Sequence, residues 1–224
     1  MRGVLVFDMD GVLVDVSDSY RETICRTVEH FTGEPLSRET IQDFKNQGGW
    51  NDDWALSHHI VTQRGVWVAL QEVVDYFQNI FHGDGSNGLI LRERWLGQAG
   101  LFERLGACWR LAVFTGRLKW EAEVTLRRFA PEIAFDPIVG MQEVERLKPD
   151  PEGLLAIAAM FPGQPLWYIG DTRDDAQCAA AAGVPFIGIA NPAAPRRAEL
   201  VAALQAEGAR AVLDDINGLE DVLR

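Results

Sequence analysis

The chain has 224 residues, enough for one large domain or one domain carrying a smaller insert, with a substantial buried core. With 47% hydrophobic and 24% charged residues it has an ordinary globular make-up, and a formal charge of -12 disfavours nucleic acid or an anionic membrane surface as the main partner, since both would repel it. No run approaches the roughly 18 apolar residues of a spanning helix. Met1-Arg2-Gly3-Val4 meets Asp8 too early for a signal peptide, and Cys25, Cys108 and Cys178 stand in no paired motif, which is the usage of a reducing cytoplasm. All three cysteines read as small core residues.

Val4-Leu5-Val6-Phe7 is a short, wholly apolar run of the kind that forms a buried parallel strand. It ends in Asp8-Met9-Asp10-Gly11, whose two carboxylates, one residue apart, point to one side and call for a cation; Asp-Gly is also ordinary turn chemistry. Ser17 to Phe31 reads as a helix with a Ser19/Glu22 capping box, Ser37 to Asn46 as a second, a third is capped by Asn51 or Asp52, and Val66 to Phe81 is a fourth. No convincing strand lies between Asp15 and about residue 90. The breaker cluster Gly83-Asp84-Gly85-Ser86-Asn87-Gly88 returns the chain to an alternating pattern.

In that pattern helices are expected around Gln98 to Leu105, Lys119 to Phe129, Pro151 to Phe161, Asp174 to Ala182 and Pro195 to Gln205, with a closing helix at the end. Strands are expected at Arg110 to Phe114, Pro137 to Gly140, Leu166 to Ile169, Pro185 to Ile189 and Arg210 to Leu213. The fold class is therefore α/β: a doubly wound, Rossmann-like parallel sheet from residues 1–16 and 89–224, with an all-helical unit, 17–88, inserted.

Parallel strands bring their carboxyl ends to one edge, where ligands bind. The polar groups placed there are Asp8 and Asp10, then Thr115-Gly116-Arg117, then Lys148 in Lys148-Pro149-Asp150-Pro151, and finally Asp171 and Asp175 in Gly170-Asp171-Thr172-Arg173-Asp174-Asp175. Acids suit a hard cation such as Mg²⁺, while Thr115 and Lys148 suit phosphate oxygens. Taken singly, Asp171 and Asp175 read more readily as caps of the helix that follows than as site residues.

These four stretches resemble, in order, the four motifs of the haloacid dehalogenase superfamily, and Ala182-Gly183-Val184-Pro185 resembles its phosphoglycolate phosphatase-like branch, whose helical cap lies between the first two motifs. The resemblance implies a phosphatase acting on a small-molecule phosphate ester: Asp8 as nucleophile, Asp10 as general acid and base, and Thr115 and Lys148 on the phosphate. Mg²⁺ is implied at the Asp8 carboxylate, the Asp10 backbone carbonyl, Asp171 and Asp175. Dehalogenases of the superfamily lack the second acid, so Asp10 points to phosphoryl chemistry. A phosphomutase of the beta-phosphoglucomutase type shares all four motifs, and a non-catalytic binding module shares the fold. Gly116, Arg117, Lys45 and Trp50 are the expected substrate contacts, the last two in the loop Lys45 to Trp54, which keeps the lysine of related specificity loops and has no arginine after it. A monomer or homodimer in the cytoplasm, with no nucleic-acid or membrane partner, completes the expectation.

Overall fold

The computed structural model describes residues 1–223; Arg224, the last residue of the expected core, lies outside them. The chain begins with β1 (Val4–Phe7) and β2 (Val14–Asp15), continues through α1 (Tyr20–Thr32), α2 (Arg38–Gln47), α3 (Asp53–Gln63) and α4 (Leu70–His82), and returns in β3 (Arg94–Trp95). There follow α5 (Leu101–Cys108), β4 (Arg110–Phe114), α6 (Lys119–Phe129), β5 (Phe135–Val139), α7 (Glu152–Met160) and β6 (Leu166–Gly170). The last elements are α8 (Arg173–Ala182), β7 (Phe186–Ile189), α9 (Arg197–Ala206), β8 (Ala211–Leu213) and α10 (Leu219–Val222).

Six strands form one parallel sheet in the order β5-β4-β1-β6-β7-β8. The apolar run in β1 follows from its position between β4 and β6: Leu5 and Phe7 enter the layer built by Phe102, Leu105 and Leu126, while Val4 and Val6 enter the layer built by Leu154, Ile157 and Leu204. The chain steps outward from β1 to β4 and β5, then crosses to β6, so the topological switch lies at the carboxyl end of β1.

Helices α1 to α4 close on a core of their own, in which Ile24, Val28, Ile41, Leu56, Ile60, Phe77 and Phe81 are buried. Among the described residues no strand lies between Ser17 and Gly83, and no helix is long and apolar enough to cross a membrane. The chain leaves and re-enters through the antiparallel pair β2 and β3, where Arg94 Nη2 donates to Asp15 Oδ2 at 2.8 Å.

Several local expectations are corrected. Helix α1 starts at Tyr20, and Ser19 makes no capping bond: its backbone is not extended, its hydroxyl is buried without a partner, and Glu22 instead accepts from Arg26 at 2.7 Å. Helix α4 starts at Leu70, which is about half exposed, because only Val73, Phe77 and Phe81 of its periodic positions turn inward. Helix α5 runs three residues later than expected, from a left-handed Gly100. Of the cysteines only Cys178 is buried; Cys25 is half-buried and Cys108 exposed.

Candidate active site

The carboxyl end of the sheet gathers the strand-end residues. Asp8 follows β1, and its N–H is tied to Ile169 of β6 at 2.8 Å. Lys148, on the segment between β5 and α7, donates its Nζ to Asp8 Oδ1 at 2.9 Å and stands 2.8 Å from Asp175 Oδ1. Asp175 is held on all sides: Oδ1 also accepts from Tyr168 Oη at 2.6 Å, and Oδ2 from the Thr172 hydroxyl at 2.6 Å and Thr172 N at 3.1 Å. Asp175 therefore fixes Lys148 as well as facing the acidic cluster.

Asp8, Asp171 and Asp175 each bring a carboxylate oxygen within 4.8 Å of the others. Gly11 permits this crowding: it has a φ of +72°, and a Cβ there would sit 2.1 Å from Asp171 Oδ2. Burial raises Asp8 to about 7, with Lys148 opposing the shift and Asp175 and Asp10 adding to it. Burial, then Asp8 and Asp175, pushes Asp171 well above the usual carboxylate range. At Asp175 burial is outweighed by Lys148 and the carboxyl lies below its ordinary value; at Lys148 burial is outweighed by Asp175 and Asp8, and the ammonium is held above its own. The residual strain is that of too many acids, and Asp171 Oδ1 is buried with no partner at all. An all-oxygen cluster with an orphaned acceptor fits a hard divalent cation.

Thr115 follows β4, buried, with its hydroxyl accepting from Arg117 N at 3.2 Å. Arg117 is not free for a ligand, contrary to its expected role as a substrate contact. Its Nε donates to Asp10 Oδ1 at 2.7 Å, its Nη1 to Thr125 Oγ1 at 3.1 Å, and its Nη2 lies 2.7 Å from Glu93 Oε1, with the guanidinium over the Tyr20 ring. Trp50 is corrected likewise: its ring packs on Phe44 and His59 inside the helical insert, and Trp54 lines the cleft in its place. Lys45 does line the cleft, with Nζ bound to Asp53 Oδ1 and to the Trp50 carbonyl, both at 2.6 Å. Gly116 lets the insert approach, since Asn51 Nδ2 lies 2.6 Å from where its Cβ would stand.

The residues not anticipated are those that join core to insert. Glu121 accepts from Tyr20 Oη at 2.9 Å and pairs with His82 Nε2 at 2.8 Å, and Asp174 accepts from Gly49 N at 2.6 Å. Within the insert, Arg21 Nη1 lies 3.7 Å from Asp53. Only Gly116 offered a signal, as a residue that leaves room for a neighbour.

The description of the haloacid dehalogenase-like hydrolase family matches residues 5–189. The chain belongs to that family. It stands in the phosphoglycolate phosphatase-like branch and is an enzyme, a phosphoric monoester hydrolase. Among similar proteins, a phosphoglycolate phosphatase of Cereibacter sphaeroides is 30% identical over 190 residues, which is 83% of this chain and 84% of that one. An imidazoleglycerol-phosphate dehydratase of Phytophthora nicotianae is 33% identical over 197 residues; the match takes in 84% of this chain and only 43% of that protein. A solved haloacid dehalogenase-like hydrolase of Bacteroides fragilis superposes with a TM-score of 0.78 at 23% identity, over 98% of this chain and 100% of that one, and has the same fold.

Proposed function

We propose that this phosphatase is Mg²⁺-dependent, hydrolyses a small phosphorylated metabolite in a reducing cytoplasm, and works through a phosphoryl group carried on Asp8. The observation that carries the reading is the Asp8 carboxylate, buried at the switch point against Lys148 at 2.9 Å, with a second, separately held acid two residues on. Asp8 attacks phosphorus, forming an Asp8 Oδ–P bond as the P–O bond to the leaving alcohol breaks, and Asp10 gives that oxygen a proton. Asp10 then takes a proton from a water that attacks the same phosphorus, the Asp8–P bond breaks, and inorganic phosphate leaves. Lys148 and the Thr115 hydroxyl meet the phosphoryl oxygens as charge builds on them. Asp8, Asp171 and Asp175, whose carboxylates cluster, together with the Asp10 carbonyl would hold Mg²⁺, which would supply the positive charge that an approaching phosphate anion needs at this acidic site.

Residues 17–88 act as a cap over residues 1–16 and 89–224, with the β2–β3 pair as the hinge. The test is release of phosphate from p-nitrophenyl phosphate: magnesium-dependent, abolished by EDTA and absent in Asp8→Asn. Labelled phosphate retained on acid-quenched native protein and missing from that variant identifies the covalent step. Transfer of the label back to a sugar phosphate without phosphate release identifies a phosphomutase instead.

A further inference from the structure

The cleft wall that Arg21, Lys45, Asn51, Asp52, Asp53 and Trp54 form belongs to the insert. It carries two cations, Arg21 and Lys45, and both are directed at one carboxylate, Asp53. Lys45 Nζ is 2.6 Å from Asp53 Oδ1, with side chains only 6% and 11% exposed, so this is a shielded pair. Arg21 Nη1 stands 3.7 Å from the same oxygen. Asp53 is in the first turn of α3, whose N-terminal amides further favour a negative charge. Further side chains lining the cleft are acids: Asp52 on the same wall, which caps α3 through Trp54 N and Ala55 N, and Glu121 of α6 on the core side, engaged with Tyr20 and His82. Arg117 is spent on Asp10 and Glu93.

We propose that Asp53 is a resident counter-anion, and that the site takes phosphate monoesters of alcohols carrying no negative charge, polyols and amino alcohols among them. A second anionic group, such as the carboxylate of phosphoglycolate, has to pull Lys45 off a carboxylate already at contact distance and then lie beside that carboxylate unpaired. A hydroxylated or cationic alcohol meets no such cost: the Asn51 amide over Gly116 is placed to pair with hydroxyls, and the acids favour an ammonium. The inference rests on the phosphatase reading and sets this chain apart from the relative named for phosphoglycolate.

The experiment compares 2-phosphoglycolate with glycerol 2-phosphate in saturating magnesium, as a ratio of kcat/KM that does not depend on the active fraction. The ratio is expected below about one-tenth in the native protein and to rise about tenfold or more in both Asp53→Asn and Asp53→Ser. A native ratio above one, or a ratio that neither variant moves, overturns the assignment. Calorimetric titration of Asp8→Asn with the same two esters reads the selection without turnover. Glycerol 2-phosphate binding more tightly, with the order reversed when Asp53→Asn is added, upholds the assignment even if the native protein releases no phosphate, and it is then the phosphatase reading that has failed. Phosphoglycolate binding more tightly to Asp8→Asn overturns the assignment.

Discussion

Arg117 grips Asp10 from behind the cleft: Nε donates to Asp10 Oδ1 at 2.7 Å while Nη2 stands 2.6 Å from the same oxygen, leaving the second carboxylate oxygen for chemistry. Glu93, buried beside Thr125, holds Arg117 in turn. Arg117→Lys keeps a cation and loses the fixed fork, so Asp10 is free to turn. The expected result is a fall in kcat of roughly ten- to a hundredfold with KM changed little. Equal loss of kcat and active-site content, measured by phosphoryl-enzyme titration, would mean that Arg117 serves folding alone.

Lys148 sits between Asp8 and Asp175 with its side chain 1% exposed. Lys148→Met leaves two buried carboxylates facing each other, a loss of about 3–5 kcal/mol for an uncompensated buried charge. At about 2–4 °C per kcal/mol for a chain of this size, the melting temperature in EDTA should drop by about 6–20 °C. Turnover should be lost with it. An unchanged melting temperature would mean that the cluster is already neutral without the lysine.

Magnesium should stabilise the folded chain through Asp171, whose Oδ1 has no partner. At about a hundred times its Kd the ion adds about 2.7 kcal/mol, read as a rise in melting temperature. Asp171→Asn should abolish that rise, and in EDTA should melt above the native protein because one of three crowded acids has gone. The same rise in both proteins would place the ion elsewhere.

The strand-end residues were legible because a parallel sheet converts position in the chain into position in space: an acid after an apolar run has one place to go. Asp8, Thr115 and Asp171 needed only that rule, while Lys148 lies well past the end of β5 and was placed by the stretch Lys148-Pro149-Asp150-Pro151. The partners of Asp10 and Asp174 were not legible, since Arg117 and Gly49 lie 107 and 125 residues away; Arg117 meets Asp10 across the neighbouring strands β1 and β4, and Gly49 meets Asp174 only once the insert is seated. Ser19 failed for a local reason: a capping box needs an extended residue, and Ser19 is held at φ -113°, ψ -95° by the turn out of β2. Trp50 misled because a large aromatic beside two glycines reads equally as a ligand face or as packing.

Acid should weaken the contact between Asp15 and Arg94 where the chain leaves and re-enters the core. Burial raises Asp15, but hydrogen bonds from Ser17 and then Arg94 outweigh it and hold its carboxyl below the ordinary 3.8. A depressed folded value means stability that is present above the unfolded pKa and lost as pH falls through the folded one. Native protein should therefore lose melting temperature faster below about pH 4 than Asp15→Asn, which has no proton to take up there. Parallel acid limbs in the two proteins would show that the pair contributes nothing to the fold.

Asp174 latches the insert to the core. Only 2% exposed in the first turn of α8, it accepts from Gly49 N at 2.6 Å, and next to it Arg173 Nη1 donates to the Gln47 carbonyl at 3.2 Å. Gly48 makes room, since even a Cβ there would stand 3.1 Å from Asp174 Oδ1. Burial raises the Asp174 carboxyl against the pull of the Gly49 N–H, so the bond is made at a desolvation cost and is lost whenever the loop lifts. Asp174→Ala should therefore leave the Gly49 and Trp50 amides exchanging faster, cost about 1.5–3 kcal/mol of loop docking, and raise KM more than it lowers kcat. Because a first-turn acid also favours its own helix, Asp174→Asn is the informative partner: it keeps the shape and an acceptor while removing the charge, and should recover part of the protection. Unaltered exchange at Gly49 in the alanine variant would show that the loop is held by the rest of the insert and that Asp174 only caps α8.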